Sequence, residues 1–257
     1  MSTYFNSIWQ SKLKAAALHA CLTILVALLS GSLVFYVWYP GSLAKMLGGT
    51  ELFWLVLSVE ISLGPLISLV IFNPKKQRNE LIKDYSLVAL IQLSALFYGL
   101  YVVAQSRPVF FVFVKDSFEV VTALELDDKD LQQAKGIYQH RDWLGPNFVC
   151  TESPTDPQEK SDLLFSAVEG KDIQLYPKYY RKCHNDEISS KAYNRKTLME
   201  IVNKQYIDKD LLAKLPSDNF TWLPIKHRFG AWVAIYPSNN QSYYLSINPY
   251  ESAILRE

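Results

Sequence analysis

The chain has 257 residues, 49% of them hydrophobic and 20% charged, with a formal net charge of +1. So even a balance leaves no basic footprint for nucleic acid, and DNA or RNA is not an expected partner. The charge is unevenly spread: of the 25 acidic residues only Glu51, Glu60, Glu80 and Asp84 precede residue 106, which predicts an apolar membrane domain, 1–105, followed by a water-soluble domain, 106–257.

Three apolar runs come first, at residues 15–39, 52–72 and 86–104. Each is about 19–25 residues long, enough to cross a hydrocarbon core of about 30 Å. The first has a basic flank, Lys12 and Lys14. It is longer than the apolar part of a signal peptide, and Trp38-Tyr39-Pro40 stands where a small-residue cleavage site would be, so a retained span is expected. Lys75, Lys76, Arg78 and Lys83 lie between the second and third runs, whereas the loop between the first two holds only Lys45. The positive-inside rule then puts the N-terminus and the 73–85 loop in the cytoplasm and everything after residue 105 on the far side. Trp38, Tyr39, Phe53 and Trp54 are expected to form an aromatic belt at the outer interface.

The second run, "LVLSVEISLGPLISLVIF", holds one carboxylate, Glu60, and a Gly64-Pro65 pair. A charge at membrane depth costs about 2.5–3.5 kcal/mol on insertion scales. Glu60 therefore needs a protonated state with a hydrogen bond inside the bundle, or a partner outside it. Depth along the spans offers Tyr98 and Ser94 on the third run and Ser30 and Ser32 on the first, with His19 a poorer match. Pro65 leaves the carbonyl of residue 61 without a helical donor and is expected to kink the span. Gly64 lets a neighbouring helix come close. Together they offer a concave lateral surface to a transmembrane client, or a packed kink within the bundle.

In the polar part, "PVFFVFVKDSFEVV" predicts a β-hairpin with its turn at Lys115-Asp116-Ser117. Residues 127–139 read as a helix and "GPNFVCTES" as a strand. A second helix starts at Thr155 or Asp156 with Pro157 in its first turn; Leu163, Leu164, Ala167 and Val168 form its apolar face, and Gly170 stops it. Residues 176–196 look irregular, 191–204 and 208–215 helical, and 230–236 with 242–247 a second hairpin; the strands of both ends are candidates for one sheet. This is an α+β domain with its own core. Cys150 and Cys183, an even pair outside the membrane, suggest a disulfide. Its loop of about 34 residues makes it worth about 3–4 kcal/mol.

The motifs of zinc proteases, serine hydrolases, P-loop enzymes and dinucleotide-binding enzymes do not occur. Intramembrane aspartyl proteases need two acids at depth, and only Glu60 is deep. No cofactor and no metal is expected.

Four stretches share a likeness. They are "KLKAAALHACLTILVALLSGSLVFYVWYPGSLAKMLGGTELFWL" (12–55), Glu60 with "GPLISLVIFNPKK" (64–76), "LVALIQLSALFYGLYVVAQSRPVFFVFVKDSFEVV" (87–121), and the weaker pair "LGPNFV" and "LYPKYY". On these the chain resembles the type IV pilin accessory proteins, the TfpX/TfpZ-like family. The resemblance covers the first 125 residues well and the rest loosely. It implies a multi-pass protein of the bacterial inner membrane with a periplasmic domain, chaperone-like and without chemistry of its own. The implied partner is a type IV pilin, bound through its membrane helix and globular head, with other pilus assembly components and membrane lipids around it. The family acid in the second span is usually aspartate; Glu60 keeps the carboxyl on a longer arm. The alternative is a membrane enzyme, or subunit of one, that modifies a pilin or an envelope glycan.

Overall fold

Ala, Leu and Val without an internal proline carry α1 from Ser2 to Ser32 in the computed structural model, which describes residues 2–73, 76–204, 219–227, 230–237 and 245–247. The helix continues through π-helical turns at Leu33–Trp38. After the short α2, Leu43–Met46, Gly48 takes a left-handed conformation (φ 71°) that β-carbon-bearing residues resist, and so turns the chain into α3, Gly49–Ile71. Pro65 lies inside α3, which runs on past it. The third long helix, α4, spans Arg78–Gln105. Trp9–Trp38, Gly49–Ile71 and Arg78–Gln105 are each long and apolar enough to cross a membrane. The protein is thus a three-helix transmembrane bundle followed by a mixed α/β domain. Both α1 and α4 pack along α3.

Two compact units result, one of Met1–Val37 with Gly48–Gln105, the other of Trp38–Leu47 with Ser106–Glu257. Trp38–Leu47 belongs to the second unit and is mostly buried there, with Gly41 and Lys45 exposed. Trp38 is only 6% exposed and Tyr39 fully buried. The outward aromatics near this end of the spans are Tyr36, 82% exposed, and Trp54. Of the four residues that the sequence assigns to the belt, only Trp54 points outward; Phe53, like Trp38 and Tyr39, is buried.

The described strands of the second unit form one eight-stranded sheet. Its strands are β1 Pro108–Val114, β2 Ser117–Thr122, β3 Asn147–Thr151, β4 Tyr180–Arg181, β5 Tyr193–Asn194, β6 Phe220–His227, β7 Gly230–Pro237 and β8 Leu245–Ile247. They are ordered β4-β3-β1-β2-β6-β7-β8, with β5 also on β6. β1 and β2 form the expected hairpin, with Lys115 at φ 58° in the turn. The β1–β3 and β2–β6 pairings are parallel and the others antiparallel. "PVFFVFV" has no polar alternation because β1 is central and buried on both faces. One face carries Val109, Phe110, Val121, Val149 and Tyr180. The other stacks Phe111 on Phe148 at 5.1 Å and Phe113 against Phe118 at 5.3 Å. A further cluster of Leu198, Phe220, Trp222, Val233 and Ile235 holds the β6–β7 end.

Around the sheet lie α5 (Asp128–Gln133), α6 (Pro157–Val168), α7 (Asn185–Lys191) and α8 (Arg195–Lys204). The expected 127–139 helix is α5 plus a separate 3₁₀ turn at Gly136–Gln139. α6 starts as its sequence says: the Asp156 carboxylate accepts from the Glu159 N–H at 2.8 Å, Pro157 takes the first position, and Gly170 at φ 96° ends it. Its apolar face is only half covered, however. Leu163 and Ala167 are partly buried, but Leu164, Phe165 and Val168 are exposed. The 208–215 helix and the turn of the second hairpin lie outside the described residues. Cys150 on β3 is bonded to Cys183, two residues past β4.

Arg181 reaches Glu187 with two hydrogen bonds, at 2.7 and 3.0 Å. These bonds hold the Glu187 carboxyl below its ordinary value of 4.5, against the opposing effect of burial. A depressed carboxyl stabilises the fold fully above its unfolded value, and the gain disappears as pH falls through the lowered folded value. Glu187→Gln should therefore lower the melting temperature above about pH 4.5, by the equivalent of about 1 kcal/mol or less. The gap to wild type should close under more acidic conditions. Melting curves from pH 3 to 7 check this, and a gap independent of pH would contradict it.

Candidate functional site

Because α1 and α4 both lean on α3, a groove of about 640 Å³ runs between them with α3 as its floor. Its walls are the apolar faces of α1 (Leu18, Leu22, Val26) and α4 (Leu93, Leu96), with Phe53 and Leu57 below. Leu18, Leu22 and Leu93 are exposed, so the groove is open along its length to whatever surrounds the helices.

Glu60 projects from the floor into this apolar trough. Among the described residues its carboxyl has neither a hydrogen-bond partner nor a charged neighbour. On the α4 wall, the Tyr85 hydroxyl is shielded from solvent and, among the described residues, also without a hydrogen-bond partner. Two polar groups thus face one apolar channel with their bonding capacity unspent, in a setting where an unmet polar group is costly.

Below Glu60 the three helices meet at Gly64. A β-carbon there would stand 2.8 Å from the Gln92 Nε2 of α4 and 2.9 Å from the His19 Nε2 of α1. The other ring nitrogen of His19 shares a 2.6 Å hydrogen bond with the Ser68 hydroxyl of α3. His19 and Gln92 also line the groove. Gly64 is therefore the point where polar side chains of both neighbours fit against the α3 backbone. Pro65 follows it and has no N–H for the Ile61 carbonyl.

The partners that depth arithmetic offers to Glu60 are placed elsewhere. The Ser94 hydroxyl donates to the Leu90 carbonyl of its own helix at 2.8 Å, and Tyr98 is 71% exposed. Neither lines the groove. Ser30 does, but its hydroxyl donates to the Val26 carbonyl. Spacing alone misses the His19–Ser68 pair, although a signal was there: the two residues stand equally far from the outer ends of their spans, Trp38 and Gly49. Gly99 is missed as well. A β-carbon there would lie 2.7 Å from both Val56 methyl groups, so the Val56 side chain of α3 fits directly against the α4 backbone.

Comparison with known proteins gives these features a family. The signature of the fimbrial assembly protein FimB matches residues 7–48, which form most of α1 and the following turn. The chain is 29% identical over 234 residues to the fimbrial assembly protein, serogroup E1, of Dichelobacter nodosus, covering 88% of this chain and 91% of that one. It is 32% identical over 164 residues to the serogroup I protein of the same organism, 64% of each chain. With the protein of serogroups C1 and C2 it shares 38% identity over 121 residues, 47% of this chain and 92% of the relative. No solved structure matches. The N-terminal signature and a relative matched over nearly its whole length agree: the chain belongs to the family of fimbrial assembly proteins.

Proposed function

We propose that this protein assists pilus assembly as a chaperone-like accessory factor of the bacterial inner membrane, with its N-terminus in the cytoplasm and residues 106–257 in the periplasm. Its client is a type IV pilin. The pilin's apolar membrane helix lies in the groove between α1 and α4, while its globular head meets the sheet domain. Two weak contacts on one scaffold reinforce each other through effective concentration.

The observation that carries this reading is the unpartnered Glu60 carboxyl in an open apolar groove, in a family named for fimbrial assembly. A helix entering the groove covers its walls and brings polar groups to Glu60 and Tyr85. The relatives are named for fimbrial assembly, which favours this reading over an enzyme that modifies pilin or glycan. Gly64 and Pro65 act in it by shaping the floor; Ser94 and Tyr98 lie outside it.

Photocrosslinkers at positions 60, 93 and 98 test the proposal in cells that make pili. Adducts with pilin are expected from 60 and 93, within the groove, and not from 98. Glu60→Ala should reduce surface pili several-fold at an unchanged level of the protein. Equal adducts from all three positions, or none from 60 and 93, would overturn it.

A further inference from the structure

The loop Arg141–Pro146 offers an exposed aromatic-aliphatic tip that the chain ties to the ends of two spans. Trp143 is 59% exposed and Leu144, next to it, 84% exposed. The loop is not a free arm. The buried Arg107 guanidinium donates to the Arg141 carbonyl at 2.8 Å and to the Asp142 carbonyl at 3.3 Å. Its Cζ also lies over the Trp143 ring, 4.1 Å from the ring centre. The Asp142 carboxylate in turn accepts from the Asn147 side chain at 2.7 Å, and Trp143 packs on Trp38 at 5.9 Å between ring centres.

Both anchors of Trp143 are membrane landmarks. Trp38 is the last residue of the first span, and Arg107 comes two residues after the third. Two passes, α3 and α4, separate these two ends, and an even number of passes brings them out on the same side of the bilayer. The ring that touches both is therefore tied by the chain to residues at the ends of two spans, and Leu144 beside it is 84% exposed. Tryptophan favours the membrane interface because one part of its ring is apolar and another donates a hydrogen bond.

We infer that the Trp143-Leu144 tip is a membrane-interface anchor: it enters the headgroup and upper acyl region of the leaflet on the sheet domain's side, and its partner is the lipid surface. It would pin the sheet domain to the bilayer independently of any client. The inference does not depend on the function proposed above.

A fluorophore placed by Leu144→Cys in a Cys21→Ala chain tests it, with the Cys150–Cys183 bond left intact. Phosphatidylcholine nanodiscs holding the full chain, and no other protein, are the setting. Val168→Cys, on the exposed face of α6 at 87% exposure, is the comparison. At position 144 the emission should shift to the blue and lose most of its intensity to a nitroxide on the shallow acyl carbons, with little quenching by iodide. At position 168 the pattern should reverse. Iodide quenching at 144 equal to that at 168 would overturn the inference. So would shielding from both quenchers, which would mean that protein covers the tip.

Discussion

Replacing Cys150 and Cys183 together with alanine is expected to destabilise the sheet domain by about 3–4 kcal/mol. The bond closes the loop that contains α6 and the short turns up to β4. That loop has little core of its own: no residue of α6 is fully buried, and β4 adds only two residues to the edge of β3. Ile173 and Tyr180 anchor the loop's second half in the core, and the disulfide adds a covalent tether to a segment whose helix has little burial of its own. Chemical unfolding of the full chain in detergent should show the lower midpoint. Hydrogen exchange should place the first loss of protection between residues 152 and 182, ahead of β6 and β7. An unchanged midpoint in the absence of the bond would refute the prediction.

Within the membrane the largest effect is expected at Gly99. Alanine there would drive its β-carbon to 2.7 Å from both Val56 methyls. Valine has one strongly preferred rotamer in a helix and cannot swing aside, so α3 and α4 must separate. Overpacking of this kind costs about 1–3 kcal/mol, and small residues at such crossings are what let transmembrane helices associate. Val56→Ala in the same chain should restore most of the loss. A double-mutant cycle on unfolding in mixed detergent measures the coupling. Strictly additive effects of the two changes would show that the contact is not responsible.

The spans were legible because an apolar run of membrane length has few other fates, and the β1–β2 hairpin because its aromatic and β-branched residues flank a polar turn. β6 was not. Pro224 lies in its middle and argues against a strand, yet Pro224 pairs with Val233 in an unbroken ladder. β5 is two residues long and exists only through its pairing with β6. In α6 the sequence period correctly marked an apolar face. Periodicity tells which side is apolar and not how much of it is covered, and Leu164 and Val168 remain exposed.

The intramembrane site was legible in part for a related reason. A lone carboxylate in an apolar run is conspicuous, so Glu60 and Gly64 stood out, and Glu60 lines the groove. Its neighbours depend on the rotation of each helix about its axis, which depth arithmetic does not contain. Tyr98 and Ser94 share a helix with Gln92, but Gln92 is the residue turned toward Gly64. The Gly99–Val56 contact is invisible for the same reason, since a glycine in a lipid-facing helix reads as neutral until the opposing side chain is known.

The parallel pairing of β2 with β6 also sets a timetable for the growing chain. A ribosome makes α4, β1 and β2 in one continuous stretch, then must add everything from Ala123 to Asn219 before β6 exists. Until then β2 shows a bare edge next to the most aromatic strand of the protein, a template on which another chain could pair. Parallel closure across so long a separation is slow. The hazardous period for this protein is therefore its own birth, when the membrane part is already seated and the sheet still lacks half its strands.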